Sequence, residues 1–258
     1  MRKFPIILTL LIFMAAFFSA GSASAADISV FELKGGRVFK GGAAIDCHVN
    51  EVPAEIEGLV RYWGAFGPDT SDSVTEAETG VWFFASDGVC VAFVPLESER
   101  ECQDVIFSPD GGNFVLVTGS DIRPDIFFEV FRNYAEPTKN AENTVKMAEF
   151  SGIRGQLTWV DPVRFVMTRI DDTREFEEGG YGWRVSVVMY DLAIAAGKTT
   201  VLKEATDTQN FWLEGVVEGG GVLGVLAVRE ESVKSEKDWG DEEKTENREI
   251  RVEIPAAG

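Results

Sequence analysis

The sequence predicts an all-β fold, and three observations carry that prediction. Apolar residues fall in short runs rich in Val, Ile, Phe, Trp and Thr; Gly, Asp, Asn or Pro breaks these runs every several residues; and no long segment repeats apolar residues at the helical period. The 258 residues, 45% hydrophobic and 26% charged, are numerous and apolar enough for a real core.

Read from the N-terminus, the first element is a leader rather than a strand. Met1-Arg2-Lys3 supplies a positive start, Phe4 to Phe18 an apolar stretch, and Ala23-Ser24-Ala25 the small-x-small pattern of a secretory cleavage site. Residues 1–25 are therefore expected to be a signal peptide, and 26–258 a single all-β domain in the bacterial periplasm or outside the cell. No second apolar stretch is long enough to span a membrane.

Strands are expected at Gly58–Trp63, Val81–Ala85, Val89–Val94, Asp104–Phe107, Phe114–Thr118, Ile126–Phe131, Thr144–Phe150, Gln156–Trp159, Arg164–Thr168, Arg184–Tyr190, Thr199–Leu202, Phe211–Val217, Val222–Val228 and Glu249–Ile254. Each combines β-branched or aromatic residues with flanking turn formers. Asp87-Gly88, Asp110-Gly111 and Gly219-Gly220-Gly221 provide the positive φ of tight hairpins, and no G-K-[ST] follows them to suggest a phosphate loop. Many short strands without helices leave a sandwich, a barrel or a propeller.

Internal repetition bears on that choice. Val105–Val117, Leu157–Met167 and Leu213–Val225 each read as strand, tight Asp/Pro/Gly turn, strand, with Phe114, Phe165 and Leu223 in matching positions. Phe107-Ser108-Pro109-Asp110-Gly111, and Tyr190-Asp191-Leu192-Ala193 followed by Gly197-Lys198-Thr199, resemble the repeats of TolB-like and WD-repeat β-propellers. The resemblance covers Val81 to Pro255 at the level of repeats, with one full S-P-D-G and no W-D ending. It implies a small or partial propeller-like array of antiparallel four-stranded sheets, a β-sandwich being the alternative, and a scaffold whose loops at one face bind a protein or cell-envelope ligand.

Charge removes one class of partner. With 43 acidic against 24 basic residues the chain carries −19, which repels a phosphate backbone, so nucleic acid is not an expected partner.

Export makes a disulfide the expected state of paired cysteines, and of Cys47, Cys90 and Cys102 the pair Cys90–Cys102 closes a short loop between two expected strands. Cys47 with either of the others is the rival pairing. Neither a C-x-x-C nor a second histidine beside His48 is present, so zinc chemistry and imidazole-based hydrolysis lack their ligands and their base.

Carboxylates cluster at Asp69, Asp72, Glu76 and Glu78, at Asp171, Asp172, Glu175, Glu177 and Glu178, and at Asp238, Asp241, Glu242 and Glu243. Such groups suit solvated loops, a calcium ion or a glycosidase pair. Trp82, Trp159 and Trp212 lie in strand patterns and should be buried, whereas Trp183 and Trp239, in charged surroundings, with Phe128 and Tyr134 from an aromatic run, are the candidate binding-surface residues. Leu96 to Asp104 and Gly67 to Gly80 read as long surface loops.

The expected function is that of a non-catalytic exported scaffold without a cofactor. A carboxylate-dependent hydrolase of envelope polysaccharide and a calcium-stabilised structural domain are the alternatives.

Overall fold

The computed structural model describes residues 28–56, 58–67, 74–97, 100–120, 123–132, 145–175, 181–194, 197–217, 224–233 and 245–255. Among them the fold is all-β, and every strand pairing is antiparallel. The expected leader, residues 1–25, lies outside the described residues.

Four sheets follow one another along the chain. The first is the meander β1 (Phe31–Lys34), β2 (Arg37–Lys40) and β3 (Ala43–Ile45). These short strands escape the sequence pattern because Glu, Lys and Arg crowd their solvent side, yet glycine pairs form their turns: Gly35 and Gly36, then Gly41 and Gly42, all have positive φ. Next come β4 (Val49–Glu51), β5 (Val60–Phe66), β6 (Gly80–Ala85) and β7 (Cys90–Pro95) in sequence order.

The third sheet holds seven strands in sequential order: β8 (Glu101–Phe107), β9 (Asn113–Ser120), β10 (Arg123–Arg132), β11 (Val145–Asp161), β12 (Arg164–Glu175), β13 (Tyr181–Asp191) and β14 (Lys198–Lys203). The last is β15 (Gln209–Val217), β16 (Val225–Val233) and β17 (Thr245–Glu253). Two short 3-10 turns, Ile28–Val30 and Glu76–Glu78, accompany them.

The seven-stranded sheet folds back on itself at β11. Its first part pairs with β10 as far as Gly152, its second part pairs with β12, and the register breaks between Gly152 and Leu157, where Gly155 takes a φ of 77°. Val115, Val117, Phe128 and Val130 from β9 and β10 consequently share one core with Leu157, Phe165, Met167 and Val188 from β11 to β13. The sequence separated Thr144–Phe150 from Gln156–Trp159; the chain joins them into a single strand serving two half-sheets, each then four strands wide.

Four cores result, one between each pair of successive layers. Phe31, Leu33 and Val38 pack with Phe66, Trp82 and Phe84 between the first and second sheets. The opposite side of the second sheet, through Val81, Phe83 and Val91, meets Phe107, Phe114 and Leu116. The folded half-sheets enclose the third core, and Val166, Val187 and Met189 meet Phe211, Leu226 and Val228 in the fourth. Strand β6 is buried along its whole length because its alternating side chains feed two cores at once.

Side chains from adjacent layers seal two sheet edges. Trp159 Nε1 donates to the Ile106 carbonyl of edge strand β8 at 3.2 Å, and the Leu213 amide of edge strand β15 donates to Thr168 Oγ1 at 2.8 Å. Among the described residues, β1 and β2 belong to the first sheet and β17 to the last, with no pairing between them.

Candidate functional site

The densest convergence of charged side chains among the described residues is built around Arg100, on the connection between β7 and β8. Glu129 and Glu149 stand directly opposite one another on β10 and β11, a like-charge cross-strand pair that is unfavourable unless cations intervene. Arg100 supplies one: its Nη1 and Nη2 each lie 2.9 Å from a Glu149 carboxylate oxygen, and Nη1 also donates to Glu129 Oε1 at 3.1 Å. Lys146 supplies the second, 2.7 Å from Glu129 and 2.6 Å from Glu149.

Thr118 Oγ1 donates to Glu129 Oε1 at 2.9 Å, and the Arg100 guanidinium lies 4.1 Å from the centre of the Phe127 ring. Glu97 reaches Arg100 Nε at 3.2 Å. Side-chain exposure falls to 8% at Glu129 and 16% at Arg100, whereas Glu149, Lys146 and Glu97 are partly or largely exposed, so the network has a buried centre and a solvated rim.

The surrounding cations keep the Glu149 carboxylate ionised. The Arg100 hydrogen bonds, aided by Lys146 against the opposing effect of burial, hold the Glu149 carboxyl down at about 2. A general acid for glycoside cleavage needs the reverse, a carboxyl kept protonated toward neutral pH. The arrangement ties the β7–β8 connection to β10 and β11.

Sequence reasoning placed Arg100 correctly in a connection but could not see that strand register sets Glu129 and Glu149 side by side within its reach; β8 also begins at Glu101, inside the stretch read as loop. A signal was present in Ile126–Phe131, where Glu129 interrupts an otherwise apolar strand and must find a cation.

The turn that carried the family resemblance is built for rigidity. Ser108 Oγ bonds with Asp110 Oδ1 at 2.6 Å, Gly111 N donates to the Ser108 carbonyl at 2.8 Å, and Gly112 N donates to Asp110 Oδ1 at 3.0 Å. Gly111 has a φ of 66°, which explains the glycine. In the matching turn, Asp161 Oδ1 accepts from Val163 N and Arg164 N at 2.9 and 2.8 Å.

The expected Cys90–Cys102 bridge is not formed, and Cys47 does not replace either partner: all three are free thiols. Cys90 packs into the first core and Cys102 against the second, so the body of the second sheet stands between them. Burial pushes the Cys47 thiol up to about 11 and both others to about 12, leaving them protonated at neutral pH.

Of the aromatic surface candidates, Phe128 is fully buried in the third core and offers no surface. Trp183 lies on strand β13 rather than in a loop, half-buried, its carbonyl accepting from Asn210 Nδ2 at 2.9 Å. Trp239 and Tyr134 lie outside the described residues. Trp82 is buried as expected, while Trp159 and Trp212 are half-buried; Trp212 donates to Glu231 at 3.0 Å beneath the Arg229 guanidinium.

The acidic stretches serve local structure where they are described. Glu78 closes a capping box with Thr75 and pairs with Lys40 at 2.6 Å; Asp171 accepts from Ser186 and pairs with Arg169; Asp172 faces Arg184. Asp69, Asp72, Glu177, Glu178, Asp238, Asp241, Glu242 and Glu243 lie outside the described residues. No group of three or more potential metal ligands converges among the described residues.

No protein-family model matches the chain, and no curated protein matches it in sequence.

Proposed function

We propose that this chain is an exported, non-catalytic binding scaffold of the bacterial periplasm or cell envelope, an open, partial β-propeller that presents its connecting loops to a protein or envelope ligand. The observation that carries the reading is the succession of layers. The fold-back at β11 turns seven strands into two four-stranded units facing each other, flanked by further sheets packed in the same manner. Such a stack devotes its interior to packing and leaves recognition to the loops at its ends. Export rests on the leader pattern of residues 1–25 alone, since the expected disulfide is absent.

Support for a binding role over hydrolysis comes from the Arg100 network, where the converging carboxylates are tied to cations and to fold stability. The test is to immobilise the mature chain, pass envelope extract over it with and without added salt, and in parallel incubate it with envelope polysaccharide. A partner retained reproducibly and polysaccharide left intact is the expected result. Shortened glycan chains with nothing retained would transfer the assignment to the hydrolase.

A further inference from the structure

We draw no further inference here: the strongest candidate, the free edge of β14 with exposed Val201 between Lys198 and Lys203, carries the flanking lysines and the bulge that protect an edge from pairing, and nothing in the structure shows what would cover it.

Discussion

The Asn113 side-chain amide donates to the Pro162 carbonyl oxygen at 2.9 Å, joining the turn between β8 and β9 to the turn between β11 and β12. Arg164, in the second of these turns, in turn donates to the Pro255 carbonyl at 2.8 Å, near the end of the last sheet. Successive layers are thus fastened at their turns as well as through their cores. Asn113 is buried, so Asn113→Ala should cost about 1 kcal/mol of unfolding free energy. Urea titration of the two proteins measures it; an unchanged midpoint would mean that the turn-to-turn bond holds nothing.

Arg100→Ala removes one cation from between two facing carboxylates and leaves Glu129, almost entirely buried, with Lys146 as its remaining cation and the Thr118 hydroxyl as its other donor. The expected loss is about 3 kcal/mol, as for breaking a desolvated ion pair from one side. Glu149→Gln, at a more exposed partner, should lose less. Equal losses in the two variants would show that the network is not organised around the arginine.

Acid stability follows from the same group. The Glu149 carboxyl lies near 2 in the folded chain against an ordinary 4.5, so it binds protons more readily when unfolded. Its contribution is therefore complete above about 4.5 and disappears as the pH falls toward 2. Glu78 acts in the same sense: burial opposes ionisation there, but the bonds from Lys40 and Thr75 outweigh it. Unfolding free energy measured from pH 7 down to 2 should fall across that window, and less steeply in Arg100→Ala. Superimposable acid limbs would contradict the assignment.

Gly152 tests the packing of β10 against β11. A Cβ at this position would lie 2.2 Å from Cε2 of Phe128, whose ring is locked in the third core. Gly152→Ala should destabilise by about 2 kcal/mol through overpacking, whereas Gly155→Ala meets no neighbouring atom and is opposed only by its positive φ. Thermal melts of both distinguish them, and a neutral Gly152→Ala would place Phe128 elsewhere.

The thiols offer a chemical count. Unfolded without reductant, the protein should titrate three free thiols, and in the native state at pH 8 the buried Cys90 should react slowest. A single reactive thiol after unfolding would restore a disulfide.

The strand pattern was legible where it depended on local chemistry. Val81–Ala85 and Val89–Val94 match β6 and β7 closely because Asp87-Gly88 fixes their turn, Gly88 having a φ of 83°. The Ser108-Pro109-Asp110-Gly111 turn was equally readable, since Ser108, Asp110 and Gly111 each meet a nearby backbone need. What escaped was non-local. Glu129 and Glu149 meet Arg100 only through strand register and a loop conformation, and Cys90 and Cys102, close in sequence, diverge because adjacent strands from different sheets send them into separate cores. The shared use of β11 by two half-sheets was hidden for a similar reason. Its glycines looked like breaks between strands, and only packing makes them the corner of one.

The functional account stands on the layered stack, and the most direct measurement of it is a methyl NOE experiment on isotopically labelled residues 26–258. In a flat seven-stranded sheet β9 and β13 are four strands apart, roughly 19 Å at ordinary strand spacing, beyond any methyl-to-methyl NOE. The fold-back places Val115 and Val117 in the same core as Met167 and Val188, so cross-peaks between these two groups are expected. Their absence, with neighbouring-strand cross-peaks intact, would show an open sheet and remove the basis for the scaffold.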